Sequence, residues 1–269
     1  MPEQEEAAPQ SPVEDLKAAD AVKLHQTLDE EGDRELSRPT WSLFWSGLAA
    51  GIAVNTSLLA EGLLQDASPD APWRHLLVAL GYPIGFIIVI MGRMQLFTES
   101  TITAVIPLVS RMTMRALRRT IRLWSIVLAA NLCGTAITAG LIAAGLLADP
   151  AMVEAILSVS MAITEKDPLE TFVTAVPAGF LIAVIAWALP NARESAFWFI
   201  FALTWLIGAG GFTHSIVGSG EAFLLLFLGH TGALFTLFGF LVPAIAGNLV
   251  GGAGLFAVLA HAQVREELD

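Results

Sequence analysis

Gly208-Ala209-Gly210-Gly211-Phe212-Thr213-His214-Ser215 combines a cluster of glycines with a histidine inside a long apolar run. In a bilayer every backbone polar group needs an internal partner, and an ionisable ring at mid-depth is costly unless it meets something polar. A continuous helix has no reason to carry both features. The stretch therefore predicts a membrane helix that breaks here, with the imidazole of His214 against a polar partner.

A second copy of this stretch lies upstream. Phe97-Thr98-Glu99-Ser100 repeats the Phe-Thr-x-Ser pattern of residues 212–215, at an offset of 115 residues. Asn131-Leu132-Cys133-Gly134 recurs as Asn248-Leu249-Val250-Gly251, at an offset of 117 residues. The nearly equal offsets indicate one duplicated unit.

The composition is that of a membrane protein, because 55% of the 269 residues are hydrophobic and 14% are charged. These values lie outside the usual range of soluble domains. The sequence offers no basic groove for a nucleic acid. Cys133 is the single cysteine, and the histidines and carboxylates lack the spacing of metal ligands. We therefore expect the lipid bilayer as a partner, and no nucleic acid, metal or cofactor.

The chain divides into three segments. Residues 1–40 hold 11 acidic and 4 basic side chains, which predicts an acidic cytoplasmic tail that is disordered or loosely helical. Residues 41–262 are predicted to form a six-helix transmembrane transport domain. Residues 263–269 are predicted to be a short cytoplasmic tail.

Six apolar runs predict six transmembrane helices. The fifth run is longer than the roughly 20 residues of one straight crossing, and a break at the glycine cluster resolves this excess. The second run ends at the first Phe-Thr-x-Ser and continues as a short piece over residues 101–109. The six runs cover about 41–64, 74–96, 123–147, 171–190, 196–228 and 231–260.

Charge gives the orientation. Five arginines follow the second crossing, whereas the loop after the third crossing is net acidic. Because positively charged loops favour the cytoplasmic side, both termini are predicted to be cytoplasmic. The membrane is expected to be an inner membrane of the bacterial type. The five arginines are Arg111, Arg115, Arg118, Arg119 and Arg122.

The two broken helices, the second and the fifth, lie three crossings apart. An odd number of crossings means that the two copies enter the membrane from opposite faces. The sequence therefore predicts an all-α polytopic membrane protein built from two inverted three-helix repeats, an arrangement in which transporters place the substrate between the halves.

His214 is the first candidate site residue. Its imidazole could donate to a small anion or pass it a proton, or it could be a neutral histidine hydrogen-bonded to a neighbouring helix. Thr98 supplies a hydroxyl from the other half, unless it bonds back to its own helix. Arg93, Glu99 and Glu221 are ionisable groups near membrane depth that either pair with one another, lie at the interface or take part in transport.

Gly218-Ser219-Gly220 offers an alternative of another class, an intramembrane serine hydrolase with Ser219 as its nucleophile. Val217 stands where such a motif has a glycine, and a hydrolase also needs a separately placed base. We therefore do not expect an enzyme.

Three motifs carry a family resemblance. They are Gln95-Leu96-Phe97-Thr98, Gly211-Phe212-Thr213-His214-Ser215-Ile216 and Val242-Pro243-Ala244-Ile245-Ala246-Gly247-Asn248-Leu249-Val250-Gly251-Gly252. With them the chain resembles the formate/nitrite transporter family over roughly 41–262. The resemblance implies an aquaporin-like protomer, a homopentamer with one pore per subunit, and a channel or proton-coupled transporter for small monovalent anions or their weak acids.

The resemblance also implies which side chains line the pore. His214 faces the pore together with Thr98, and apolar constrictions lie on both sides of this pair. The implied constriction and pore-facing residues are Tyr82 and Ile207 on the outer side, Phe86, Leu96 and Phe97 on the inner side, and Phe212 beside the histidine.

The chain also departs from the family pattern. Gln95 stands where the family commonly has an acidic side chain. Thr213 stands where the family commonly has an acidic or amide side chain. The family's vestibule lysine falls on Asp167, with Lys166 one residue away, and a carboxylate there would repel an anion. A channel of the same fold for a neutral or cationic small solute therefore stays open as an alternative.

Overall fold

The computed structural model describes residues 19–267, with the exception of the side chain of Arg193. Helices form throughout this range, and five of them are long and apolar enough to cross a membrane. The predicted all-α polytopic membrane fold is confirmed. The helices are α1 (Ala21–Ser37), α2 (Thr40–Val54), α3 (Thr56–Ala67), α4 (Arg74–Val78), α5 (Pro83–Met91), α6 (Ser100–Thr103), α7 (Val105–Arg111), α8 (Met114–Ala143), α9 (Pro150–Ser160), α10 (Pro168–Ala192), α11 (Ala196–Ala209), α12 (Ser215–Phe227), α13 (Val242–Leu249) and α14 (Val258–Val264).

Both predicted breaks are present. Residues 92–99 separate α5 from α6, and residues 210–214 separate α11 from α12. Gly211 has a positive φ of 64°, a backbone conformation that favours glycine. The glycine cluster therefore ends α11 and lets the chain turn before α12 begins.

Several segments differ from the predicted boundaries, two of them after the third crossing. Residues 150–160, placed in the acidic loop by the sequence, form the apolar helix α9 with a 3₁₀ turn at Met161–Thr164. The last helical segment runs over Phe235–Glu267, in which π-helical turns precede α13 and connect it to α14. This segment extends into the predicted C-terminal tail. Apolar side chains of α9 that pack on α3, including buried Ile156, explain the first difference.

Asn131 of α8 holds the first break. Its side-chain oxygen accepts from the backbone N–H of Phe97 at 2.8 Å, and its amide donates to the carbonyls of Gly47 and Gln95 at 2.8 and 2.9 Å. Each backbone group freed by the interrupted helix needs such a partner in a bilayer. One buried amide therefore satisfies two groups of the break, those of Gln95 and Phe97, and ties the break to Gly47 of α2.

Asn248 of α13 holds the second break in the same way. Its side-chain oxygen accepts from the N–H of Ser215 at 2.8 Å, and its amide donates to the carbonyls of Ala175 and Thr213 at 2.8 and 3.0 Å. The duplicated Asn-Leu-x-Gly motif therefore has the same task in both halves. The inverted relation of the halves stays a prediction.

These contacts correct the register of the sequence repeat. Asn131 accepts a hydrogen bond from the N–H of Phe97, and Asn248 accepts the corresponding bond from the N–H of Ser215. Phe97 and Ser215 are therefore equivalent positions, at an offset of 118 residues. The Phe-Thr-x-Ser match has an offset of 115 residues, so it is out of register by three residues at the break. Thr98 and Thr213 are therefore not equivalent positions.

Glycines bring the paired helices together around these asparagines. A Cβ atom added to Gly51 of α2 would collide with the backbone of Asn131, and one added to Gly179 of α10 would collide with the backbone of Asn248. The close approach places each asparagine amide within reach of the neighbouring helix. Small residues serve this purpose in membrane helices generally.

Helix α1 occupies part of the predicted tail. Asp20 caps it by accepting from the N–H of Lys23, and a stripe at four-residue spacing, which includes Leu24, Leu28 and Leu36, is buried. This stripe packs on α6, α7 and α14, so apolar contacts hold the segment in place. The high acidic content of the segment had favoured a disordered or loosely helical tail. Residues 1–18 of the predicted tail lie outside the described residues.

The arginine cluster docks α1. Arg111, the last residue of α7, forms ion pairs with Asp29 at 2.8 Å and Asp33 at 2.6 Å. The other four arginines lie in the first turns of α8 rather than in a loop, and Arg122 donates to the carbonyl of Arg38 at 3.0 Å. The acidic segment and the arginines thus neutralise each other.

We predict that Asn131→Ala and Asn248→Ala each lower the apparent melting temperature of the detergent-solubilised protein by a similar amount. Each substitution leaves two backbone groups of a break without their amide partner, at a cost of about 1–3 kcal/mol per group. Asn191→Ala is the control, since that exposed amide bonds the backbone of Ala19. Equal melting temperatures for all three variants would contradict the role given to the buried asparagines.

We predict that Arg111→Gln accelerates hydrogen exchange of the α1 amides at pH 7, whereas Arg115→Gln, at an exposed position, does not. The Arg111 guanidinium bonds Asp33 and lowers the pKa of that carboxyl from its ordinary value of 3.8. A carboxyl with a lowered folded-state pKa contributes stability above its ordinary pKa, and loses it as the pH falls through the folded value. Protection of α1 relative to Arg111→Gln should therefore begin to fall near pH 3.8 and vanish only below the lower folded-state pKa; a difference that does not shrink as the pH falls below 3.8 would contradict this.

Candidate functional site

Thr98 and His214 meet in the buried centre of the protein. Thr98 is the next-to-last residue of the first break, and His214 is the residue before α12. The distance from Thr98 Oγ1 to His214 Nε2 is 2.7 Å, and the two residues are 0% and 2% exposed. The polar partner predicted for the imidazole is therefore the hydroxyl of the other half.

The second ring nitrogen fixes the direction of this hydrogen bond. His214 Nδ1 accepts from the backbone N–H of Val217 at 3.3 Å and so caps α12. Only a bare nitrogen can accept, so the proton of the neutral ring is on Nε2 and is donated to Thr98 Oγ1. The hydroxyl hydrogen of Thr98 is then directed to another acceptor.

Aromatic side chains pack on the pair. The ring of Phe86 lies 4.9 Å from the imidazole at an interplanar angle of 78°, and Tyr82 lies 5.4 Å from Phe86. Of the other predicted pore residues, Leu96 and Ile207 are buried, whereas the buried ring of Phe97 lies 6.3 Å from Trp124 of α8. The structure therefore brings Tyr82 and Phe86 to His214, and turns Phe97 toward α8.

A cavity of about 150 Å³, here called the small cavity, adjoins His214. It contains Tyr82 and Phe212 of the predicted pore set, and three charged residues from three different parts of the fold. The lining residues with polar or aromatic side chains are Glu61, Tyr82, Lys166, Phe212, Thr213, His214, Glu221 and Phe240.

A second cavity of about 620 Å³, here called the large cavity, lies beneath α1. Leu96 and Glu99, on either side of Thr98 in the sequence, line it. Among the residues that the structure describes, none lines both cavities, and Thr98 and Phe86 line neither. The buried Thr98–His214 pair therefore separates two cavities.

Lys166, rather than Asp167, lies at the small cavity. Its ammonium donates to the carbonyl of Gly211 at 2.6 Å and to the hydroxyl of Thr213 at 3.3 Å. Burial lowers the pKa of this ammonium, and the carboxylates of Glu170 and Glu221 act in the opposite direction. Asp167 is exposed and accepts from the N–H of Glu170, which caps α10.

Glu61 was not among the residues predicted from the sequence. It lies on α3, is 6% exposed, and its Oε2 atom has no hydrogen-bond partner within residues 19–267. The available signal was a single acidic residue near the end of the first apolar run. Arg93, by contrast, is exposed and pairs with Glu31 of α1 at 3.1 Å, so it does not pair with Glu99 or Glu221.

The serine proposed as a nucleophile is fully buried. Ser219 Oγ donates to the carbonyl of Ile216 at 2.6 Å and lies 2.8 Å from Thr135 Oγ1. Neither contact is an imidazole or a carboxylate, which a serine hydrolase uses as the base. The geometry therefore gives the hydrolase alternative no support.

Known proteins share the sequence and fold of this chain. A family model described as "Formate/nitrite transporter" matches residues 22–262. The "Inner membrane protein YfdC" of Escherichia coli (strain K12) is 38% identical over 256 residues, which cover 95% of this chain and 83% of that protein.

Two solved structures are similar in fold. One is described as a "Pentameric formate channel with formate bound", with a TM-score of 0.71, 18% identity, and coverage of 84% of this chain and 98% of that chain. The other is an "FNT family ion channel", with a TM-score of 0.74, 20% identity, and coverage of 90% and 98%. At these identities the likeness concerns the fold.

We predict that the ¹⁵N spectrum of labelled protein at pH 7 shows His214 as the neutral tautomer with its proton on Nε2. The cap to Val217 requires a bare Nδ1, and Thr98 accepts from Nε2. The resonances are assigned by difference from His214→Asn, and Thr98→Val should shift the Nε2 signal. A proton on Nδ1 would contradict the assigned hydrogen bonds.

Proposed function

The chain belongs to the formate/nitrite transporter family, and on that ground we propose that it carries formate, nitrite or a similar small monovalent anion, or its weak acid, across the membrane. The observation that carries this proposal is the buried Thr98–His214 pair between two cavities. A polar pair in an apolar surround at mid-depth is expected at a substrate path.

The apolar surround favours the neutral acid as the crossing species. Phe86 packs on His214, and Leu96 lies buried on the side of the large cavity. Moving a bare anion past such side chains costs far more free energy than moving the neutral acid, because an unpaired charge loses its hydration. The selectivity for small weak acids follows from this difference.

The hydrogen-bond directions define what the pair contributes. His214 donates to Thr98, which leaves the Thr98 hydroxyl hydrogen to be donated to an oxygen of the substrate. A hydroxyl that accepts one hydrogen bond is polarised and becomes a better donor. We therefore assign the pair to binding and orienting the substrate.

The same geometry makes His214 a poor source of a proton. If a neutral imidazole with a bare Nδ1 gave up its Nε2 proton, it would become an imidazolide anion in an apolar site. If Nδ1 were protonated instead, its N–H would face the N–H of Val217 and the cap of α12 would be lost. A proton for the substrate has to come from elsewhere.

We propose a homopentamer in an inner membrane, with one pore in each subunit. One solved relative is described as pentameric, and the Escherichia coli relative is described as an inner membrane protein. Large apolar side chains are exposed on the single chain, among them Trp41, Trp45, Leu63 and Leu234. Such surfaces need lipid or a neighbouring subunit to cover them.

A second candidate is a channel of this fold for a neutral or cationic small solute. The observation that favours it is the presence of two carboxyl groups, Glu61 and Glu221, in the small cavity against one ammonium, Lys166. Uptake of labelled methylammonium, measured beside formate under opposite pH gradients, separates the two candidates.

We predict that Thr98→Val lowers uptake of labelled formate into proteoliposomes, driven by an inward proton gradient, by roughly 2–10-fold, whereas Thr98→Ser keeps most of it. Loss of one hydrogen bond to the neutral acid is worth about 0.5–1.5 kcal/mol, and Val has the shape of Thr without the hydroxyl. His214→Asn should also remove acid-stimulated uptake.

Native mass spectrometry of each variant serves as the control for assembly. If Thr98→Val still assembles and its formate flux equals that of the wild-type protein, the assigned role of the pair is overturned. Methylammonium flux without formate flux in the wild-type protein would instead overturn the proposed substrate class.

A further inference from the structure

The small cavity brings together two carboxyl groups and one ammonium that are far apart in the sequence. Glu61 comes from α3, Lys166 from the turn before α10, and Glu221 from α12. Glu221 follows His214 by seven residues, about two helical turns, and so lies on the same side of α12. All three groups therefore line the small cavity together with His214.

The charges of this group do not balance if every member is ionised. Lys166 can compensate one carboxylate, and a second one would be an uncompensated negative charge in a buried site, which is strongly disfavoured. Glu61 Oε2 is buried and has no hydrogen-bond partner in the described part of the chain. The charges of the three groups balance when Glu61 and Glu221 together hold one proton.

Other ionisable groups near Glu61 leave this balance unchanged. Helix α9 packs on α3 and contributes the apolar Val159 to the cavity, while α4 carries two basic side chains that are bonded to backbone carbonyls away from the cavity. The ionisable groups that share the cavity with Glu61 are Tyr82, Lys166, His214 and Glu221. The two basic side chains of α4 are Arg74, which bonds the carbonyl of Gln65, and His75, which bonds the carbonyl of Pro72.

We propose that Glu61 and Glu221 form a proton-holding carboxyl pair that converts the incoming anion into its neutral acid at the small cavity. This inference rests on the proposed function. It supplies the proton that the capped imidazole of His214 cannot supply, at a position directly before the apolar side chains that exclude a bare anion.

The proton transfer balances as follows. The O–H bond of the protonated carboxyl breaks and a new O–H bond forms on the anion, so that formate becomes formic acid and the glutamic acid becomes a carboxylate. The net charge of the cavity does not change in this step, because the negative charge moves from the anion to the carboxyl pair. A hydronium ion from the water outside then returns a proton to the carboxylate and leaves as water.

The test is formate uptake into proteoliposomes at external pH values from 5 to 8, with the wild-type protein, Glu61→Gln, Glu221→Gln and the double variant. At pH 7 each single variant should lose roughly tenfold to a hundredfold of the uptake, at or below the low end of general-acid effects. At pH 5, where formic acid enters from solution, uptake should stay within about twofold of the wild type.

Either single substitution should have the full effect. One carboxylate and one ammonium balance without a proton, so removing either member of the pair removes the proton, and the double variant should be no worse. Glu61→Asp keeps a carboxyl group and should retain part of the uptake at pH 7. Asp66→Asn, an exposed carboxylate on the same helix α3, is the matched control and should leave the profile unchanged.

An infrared measurement tests the pair without transport. The carbonyl stretching band of a protonated carboxylic acid should be present at pH 7 in the wild-type protein and weaker by one carboxyl group in Glu61→Gln and in Glu221→Gln. If one variant fails to assemble, the other gives the same test.

The outcomes separate the two levels of inference. A wild-type protein that carries no weak acid would overturn the proposed function. Wild-type formate flux with an unchanged pH profile in both glutamine variants would overturn the carboxyl pair alone. Higher uptake at pH 7 in the glutamine variants would also overturn it, because the carboxylates would then repel the anion rather than give it a proton.

Discussion

The need to pair every backbone group inside a membrane organises this protein. Two helices are interrupted at mid-depth, and each interruption frees N–H and C=O groups that hydrocarbon cannot bind. Asn131 and Asn248 each supply two hydrogen bonds to these groups and a third to a neighbouring helix, α2 or α10. Since these amides come from α8 and α13, the breaks are held by the packing of whole helices.

The same requirement couples the site to the fold. His214 is at once the cap of α12, through Nδ1, and the donor to Thr98, through Nε2. A side chain with both nitrogens engaged can orient a substrate but has little freedom to change its proton count. The chemistry of proton transfer is therefore better assigned to the carboxyl groups in the adjoining small cavity, where an ammonium can compensate a change of charge.

Charge is handled differently at the two cavities. Above the large cavity, the acidic helix α1 pairs with Arg111, in ion pairs that remain partly exposed. Exposed pairs of this kind contribute little individually, so the buried apolar stripe of α1 contributes more to holding the helix than any one of these ion pairs. In the small cavity the charges are fewer, Glu61 is 6% exposed, and two carboxyl groups face one ammonium. The second arrangement is the one suited to proton exchange.

The sequence by itself determined the membrane class, both helix breaks, the family and the histidine–threonine pair. Composition and short motifs carry these features, since they depend on residue type and local spacing. Only the tertiary structure decided the register of the repeat, the choice of Lys166 over Asp167, the docking of α1 and the place of Glu61 beside Glu221. With 3.6 residues per helical turn, a shift of one residue turns a side chain by roughly 100°. Which side chains from distant segments meet is therefore fixed by helix packing, which a motif does not encode.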